Sequence, residues 1–533
     1  MSMIRKILSC GNGLTNFVSC VYVKIKVVKF VLFLLFLTSY FLYFQSISFS
    51  NTLGNLPTGS QVNSDSKNQV ETQNEVSEAS VKLVLKPAVY VSNWSNNIVG
   101  KYTNSWGRPV NPAENIFYLQ NDIPSFFNIN LDFKVGEFKL YMELPIEREY
   151  GNKISTLSNH TNFPFDFSID LNFPEIAYLH YSNNTFYFSI GRYKLSWGDA
   201  RYPIHISPTT SLDNFTLSIN FPGIVYTFHS ISSFPLLAPE EETIQSNYSD
   251  QHTDGRYFKA PSKYIFAHRL DFFNILSDEI KLRIGLGELN IVGGRVPDIT
   301  DFSPVLIYHN TYGEGWSNVT GSIDFSLVYK NTLKIYGEFV LDDLLGPTEI
   351  GYTYKPGAFG FNIGGQFTVP ISIGNLNVWL EYGETSEWMY VTNYLPYLRI
   401  NVRKFYIQNV PGARFLVDYP LGFIYGPDAK MFSFGVDGNI QKYGINYSFE
   451  YNRLIKGQVN DNGVIRWKWF WDSWPGNVSE SGANTPPKAE DVTYDLYSLR
   501  VGYSIFEIFA KVTKNENNFN YFIGLNTILS FKF

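Results

Sequence analysis

Phe519-Asn520-Tyr521-Phe522-Ile523-Gly524-Leu525-Asn526-Thr527-Ile528-Leu529-Ser530-Phe531-Lys532-Phe533 is the stretch whose reading decides the fold. Its odd positions, Phe519, Tyr521, Ile523, Leu525, Thr527, Leu529, Phe531 and Phe533, form an apolar row. Its even positions, Asn520, Phe522, Gly524, Asn526, Ile528, Ser530 and Lys532, are mostly polar. A period of two with unlike rows is a strand between two different solvents. The stretch is longer than a soluble strand usually runs. Roughly 9–11 tilted residues cross a bilayer, with lipid on one face and a polar lumen on the other. The segment is therefore expected to be the last strand of a transmembrane barrel, closing against a first strand near Lys82. The aromatic end at Phe533 resembles the assembly signal of bacterial outer-membrane barrels, which predicts engagement of the barrel-assembly machinery.

Composition agrees. The 533 residues include 45 Phe and 37 Tyr, and only 17% are charged, against about 25% in average soluble chains. Beyond the N-terminus no apolar run reaches the 18 or so residues of a membrane helix. Alternating strands keep a barrel polar on average, so an aromatic-rich, overall polar chain suits one.

The N-terminus predicts secretion. Arg5, Lys6, Lys24, Lys26 and Lys29 precede the apolar run Phe30 to Phe44, and Ser46, Ser48 and Ser50 follow it. Residues 1–50 are read as a signal peptide. Both cysteines, Cys10 and Cys20, fall inside it, so the mature chain is expected to hold no disulfide or thiolate metal site. Its removal takes away five bases and no acid, shifting the formal charge from −6 to −11. Such a chain lacks the basic patch that nucleic acid requires. Residues 51–81 are rich in Asn, Ser, Gln and Glu, contain no aromatic residue, and are read as a disordered polar linker. Residues 82–533 are read as the barrel.

Within that region Phe127 to Lys134 and Phe138 to Leu144 alternate about a Val135-Gly136 turn, as a hairpin does. Further tight connections are expected at Asn183-Asn184, Pro222-Gly223, Leu276 to Glu279 and Lys330-Asn331. Long irregular stretches lie between them, at 92–124, 147–163, 199–214, 232–262 and 291–317. Alternation of short periplasmic turns with long extracellular loops is the pattern of an outer-membrane barrel. It holds if 165–182 is one strand bulged at Phe173-Pro174. Later strands are expected near 349–355, 359–369, 375–385, 397–407, 431–441, 443–454, 492–505, 506–513 and 519–533. The fold class is all-β, a transmembrane antiparallel β-barrel of about 18 strands (16–20). Side chains alone cannot fill so wide a barrel, which predicts a water-filled pore or a plug of loops.

Several motifs occur in a telling order: Gly191-Arg192-Tyr193-Lys194-Leu195-Ser196-Trp197-Gly198, His268-Arg269-Leu270, Gly285-Leu286-Gly287-Glu288, Pro304, His309-Asn310, Gly337 to Leu344, and Pro420-Leu421-Gly422 before Gly426-Pro427-Asp428. Across roughly residues 185–440 the chain resembles the capsule assembly (Wzi-like) family of outer-membrane proteins. The resemblance implies an eighteen-stranded, internally blocked barrel. It further implies binding of surface polysaccharide and a part in anchoring or organising a capsule.

The residues' own chemistry is sparser. The seven histidines lie between His160 and His309 with no close pair, and the spacing assigns no metal site. Asp342-Asp343 are adjacent in an extended segment and point to opposite faces, so they do not make an acid–base pair. They are expected to end a strand and meet water or Lys/Arg. No Gly-x-Ser-x-Gly motif is present, and neither a catalytic residue nor a cofactor is assigned. Trp467, Trp469, Trp471 and Trp474 cluster within 455–491, and their flat faces are candidates for polysaccharide contact or for an interfacial girdle. Asp132, Glu143 and Asp324 fall on the polar rows and are candidate lumen-lining carboxylates. Their charge favours the alternative reading, a porin-like diffusion channel for small cations or neutral solutes.

Overall fold

The computed structural model describes residues 78–93, 123–147, 160–164, 174–233, 263–277, 279–293, 299–303, 317–344, 357–371, 374–390, 399–407, 414–461, 464–469 and 490–533, with Pro297 and Tyr308. The strand expected at 349–355 and most of the stretch 165–175 lie outside these residues.

The wall is built from strands Glu78–Leu85, Phe127–Val135, Phe138–Ile146, Ile176–Ser182, Phe186–Tyr193, Leu212–Phe221, Ile224–Ser232, Lys263–Ser277 and Ile280–Gly293. It continues through Ser317–Tyr329, Leu333–Asp343, Ala358–Ile371, Gly374–Thr385, Ala429–Ile440, Ile445–Asp461, Glu490–Tyr503, Phe506–Lys514 and Phe519–Thr527. Each pairs antiparallel with the next, and the two ends of the series meet where Ala88–Ser92 pairs with Phe519–Thr527 and Glu78–Leu85 with Leu529–Lys532, so the sheet has no open edge among the described residues. Among the described residues the main sheet counts twenty-one strands. Ala88–Ser92 continues the first strand, Leu529–Lys532 continues the last, and Val464–Trp467 pairs only with an extension of Ile445–Asp461; eighteen circuit positions remain.

The seam reaches the final residue. Val81 and Phe533 exchange both backbone hydrogen bonds, at 3.2 and 2.9 Å. Lys82 opposes Lys532 and Ala88 opposes Asn526 in one unbroken register. The ladder weakens only where Pro87, which has no N–H, faces Thr527. The first strand begins at Glu78, four residues inside the stretch read as linker.

Eight wall connections at the end that carries Glu78 and Phe533 are short. At one of them Lys330 and Asn331 both adopt positive φ, 51° and 56°, the geometry of a two-residue hairpin turn. Most connections at the other end are long, the exception being 515–518. One expected wall strand is reassigned: Asn401–Ile407 pairs only with Arg414–Pro420, in a separate hairpin within a long connection. Alternation alone does not distinguish a wall strand from a loop hairpin.

The outer face is apolar all round. Ile190, Leu270, Ile323, Ile363, Leu380 and Ile508, spread over the circuit, are between 38% and 54% exposed. A soluble protein does not display such a band, whereas the lipid-facing belt of a barrel must. The opposite row is polar or buried: Arg269, Asp271, Asp324, Glu338, Glu381 and Asn452 face the lumen and are at most 9% exposed.

Glycine allows rings to lie flat on the inner wall. A Cβ on Gly435 would sit 2.3 Å from the Trp379 ring, and one on Gly524 would sit 2.2 Å from Phe509. Gly435→Val is expected to displace Trp379 and lower stability by about 1–3 kcal/mol, the usual range for overpacking. Thermal unfolding in detergent reads this as a lower midpoint.

Candidate functional site

Residues 194–211 join strands Phe186–Tyr193 and Leu212–Phe221, and they turn into the barrel. Gly191 (φ 138°) and Gly198 (φ 75°) permit the change of direction. A Cβ on Gly191 would meet the Ala177 carbonyl oxygen at 2.2 Å. The segment is then caught by carboxylates on the far side of the circuit. The amides of Arg201 and Tyr202 donate to Glu381 at 2.8 and 3.0 Å. Those of Ile204 and His205 donate to Glu338 at 2.8 and 3.1 Å. Arg201 also pairs with Asp437 at 3.0 Å and lies over the Trp379 ring. The Tyr202 hydroxyl donates to Glu450. Each of the four carboxyl oxygens accepts one amide, so two side chains hold four backbone donors in two successive pairs and form a firm clamp.

A balanced charge network seats the tip. Asp199 pairs with Arg283 at 2.9 Å and with Lys334. Arg269 pairs with Asp271 at 2.7 Å and Asp324 at 2.6 Å, and Arg283 reaches the same two acids at 2.9 Å. Three acids thus meet three bases. The Arg269 guanidinium lies 5.6 Å from the Trp197 ring centre. The Trp197 indole N–H donates to His229 Nε2 at 3.2 Å, which leaves His229 Nδ1–H to donate to Thr216.

Burial is the largest influence on His205, with Arg269 nearby adding to it, and together they push its pKa down from 6.5 to about 3. The neutral ring exchanges hydrogen bonds with Ser322 at 2.7 Å and Thr320 at 2.8 Å. Burial would raise the Asp199 carboxyl, but Arg283 and Lys334 hold it below its ordinary 3.8. Each depressed value means that the unfolded chain binds the proton more readily, so each contribution is lost as pH falls. For His205 it is complete above about pH 6.5 and declines toward pH 3. For Asp199 the loss starts near 3.8 and continues below. A wild-type thermal midpoint that drops between pH 7 and 5 is expected to lose part of that slope in His205→Gln. Identical slopes would show that His205 does not titrate on unfolding.

A second layer covers the first. The Tyr390 hydroxyl donates to the Ile204 carbonyl at 2.5 Å and accepts from Phe423 N–H at 2.9 Å. Tyr390 itself has φ 68°, a left-handed conformation that costs a non-glycine residue energy and is held by its surroundings. Ser207 N–H donates to Leu421 O at 2.8 Å. Lys263 Nζ donates to Arg399 O and Asn401 Oδ1, both at 2.7 Å. These pieces and the wall share one apolar cluster. Trp197, Ile204, Ile206, Tyr390, Phe423 and Tyr425 come from inward segments, while Tyr90, Leu212, Ile265, Leu289, Val340, Met431, Leu454, Tyr494 and Phe522 come from strands around the circuit. The lumen is packed like a protein interior at this level.

The residues singled out from the sequence fall as follows. Trp467 and Trp469 are each 1% exposed, against Tyr425, Tyr494 and Gly426, so neither offers a flat face to a ligand. Val464–Trp467 folds back on the extension of Ile445–Asp461, and both indoles join the apolar cluster. Trp471 and Trp474 lie outside the described residues. Asp132, Glu143 and Asp324 occupy the lumen face. Asp132 pairs with Lys139 at 3.0 Å, and Glu143 accepts from Asn128 at 2.9 Å. Asp324 is neutralised within the arginine network. Asp342 ends its strand as expected, but its carboxylate accepts the Tyr390 amide at 2.7 Å. Glu338, Glu381, Arg269 and His205 were missed. The signal for Glu338, Glu381 and Arg269 was present as charged residues on inward rows, flanked by Phe339, Leu380 and Leu270 on the outward rows, whereas His205 lies in a connection with no period to mark it.

Fold and site together define a transmembrane β-barrel of the outer-membrane type, with eighteen circuit positions among the described residues and an internally folded connection. No protein-family model matches the chain, and no curated protein matches its sequence. Among solved structures it is similar to Wzi, an outer-membrane protein involved in group 1 capsule assembly in Escherichia coli and described as a carbohydrate-binding β-barrel. Identity is 13%, with 85% of this chain and 84% of that one covered, at a TM-score of 0.46. It is also similar to OccK3 of Pseudomonas aeruginosa, at 10% identity, 86% and 95% coverage and a TM-score of 0.40. For OccAB4 of Acinetobacter baumannii the figures are 11%, 87% and 100%, and 0.40.

Proposed function

We propose that this chain is a bacterial outer-membrane barrel that binds or anchors surface polysaccharide and helps organise a capsule or exopolysaccharide layer. The carrying observation is the packed lumen. A clamped segment and one continuous apolar cluster occupy the cross-section through which a diffusion channel would conduct. The ordered motifs that resemble the capsule assembly family fall largely on this same machinery: Trp197 and Gly198 in the inward segment, Arg269 in the charge network, Glu338 in the clamp, and Leu421 to Asp428 in the covering layer. In this reading the short turns and Phe533 face the periplasm, and the long connections meet the polysaccharide outside. The exposed Phe533 side chain, beside a fully paired backbone, is available to the assembly machinery. The test is a deletion strain complemented with the wild-type chain. Surface polysaccharide is expected to be released into the medium on deletion and retained on complementation. Equal retention without the protein would overturn the reading.

A further inference from the structure

The lumen wall formed by strands Phe127–Val135 to Phe186–Tyr193 is unlike the rest. Leu140, Leu179 and Ile190 point to lipid, so the alternate residues Tyr141, Tyr178, His180, Tyr187 and Tyr193 point inward. Their rings follow one another up the wall. His180 and Tyr187 are 5.7 Å apart between centres, Tyr178 and His180 5.7 Å, Tyr141 and Tyr178 5.6 Å, and Tyr178 and Tyr193 5.4 Å. From Tyr187 to Tyr193 the strand advances six residues, roughly 20 Å of wall at about 3.3 Å each. The track starts near the turn-side mouth and ends where Tyr193 packs against the apolar cluster. All five rings are half-buried, unlike the fully covered aromatics of the cluster.

Polar groups of both signs border the rings. Asp132 and Lys139 form an ion pair, and Lys139 also lies 5.6 Å from the Tyr141 ring centre. Asn128 and Glu143 are hydrogen-bonded beside them. The Asn130 side-chain oxygen is buried with no hydrogen-bond partner among the described residues. A run of half-buried rings, one pair stacked and the others tilted or edge-to-face, with amide and carboxylate groups at their edges suits a ligand with apolar C–H faces and a hydroxyl rim. The near-cancellation of charge argues against a polyanion.

We infer that this wall is a second glycan site, a track that takes an extended neutral oligosaccharide from the turn-side mouth. The inference rests on the polysaccharide reading above but concerns a different place, inside the barrel and on the side of the chain termini. Calorimetric titration of the detergent-purified full-length chain with maltohexaose, cellohexaose and an acidic hyaluronan hexasaccharide tests it. At least one neutral hexasaccharide is expected to bind. Tyr141→Ala/Tyr178→Ala is expected to weaken it tenfold or more, whereas Tyr141→Phe/Tyr178→Phe, which keeps the stacking faces, retains most of the affinity. Tyr497→Ala, on the outward face, is expected to bind as wild type does. A wild-type chain that binds neither neutral probe, an alanine pair that binds unchanged, or preference for the acidic probe would overturn the track. If the alanine pair binds unchanged while the deletion strain still sheds its polysaccharide, the track falls and the function stands.

Discussion

Wild-type barrels in planar bilayers are expected to be electrically silent, and Glu338→Ala/Glu381→Ala is expected to make them conduct in steady steps. The two carboxylates accept the amides of Arg201, Tyr202, Ile204 and His205. Removing both acceptors leaves four backbone donors without partners in a buried place, at about 1–3 kcal/mol each. Tyr336 would also lose its hydroxyl contact to Glu381 at 2.8 Å, and Asn362 its contact to Glu338 at 3.1 Å. The wall keeps its backbone ladders throughout, because those run between main-chain groups and use neither carboxylate. The segment is therefore expected to detach while the barrel persists. Glu338→Gln/Glu381→Gln keeps an acceptor at each place and is expected to conduct far less. Steady conductance by the wild-type chain would overturn the packed-lumen reading and favour a diffusion channel.

The second large effect is expected at Arg269. It is 4% exposed and bridges Asp271 and Asp324 beneath Trp197. Arg269→Leu leaves two buried carboxylates with only Arg283 between them, and breaking a buried pair in this way costs roughly 3–5 kcal/mol. The thermal midpoint in detergent is expected to fall sharply. Arg269→Leu combined with Asp324→Asn removes one acid together with the base and is expected to recover most of the loss. A double variant no more stable than the single one would show that the loss comes from packing against Trp197 rather than from uncompensated charge.

Neither prediction was accessible from alternation alone. Period-two reading places Asp324, Glu338 and Glu381 on an inward row, because successive strand residues point to opposite faces and the flanking Phe325, Phe339 and Leu380 must meet lipid. It does not reveal what an inward carboxylate meets. Asp324, read as a lumen-lining carboxylate, is one member of a neutralised network, because Arg283 arrives from the strand paired to its own and Arg269 from the strand beyond that. The surroundings of Trp467 and Trp469 were hidden for the same reason. Local spacing identified a shared face but not the Tyr425 and Tyr494 rings that cover it.

What the amino-acid order by itself determined is the closed, lipid-facing wall: strand periodicity, short turns, the outward belt and the terminal strand from Phe519 to Phe533 are consequences of neighbours in the chain. Only the tertiary structure decided which segment turns into the barrel and what holds it there. The clamp joins Arg201 to Glu381 and His205 to Glu338, residues 180 and 133 positions apart in sequence. Such pairs carry no local period. They form because amides turned inward at Gly198 must find acceptors away from water, and the opposite wall supplies them.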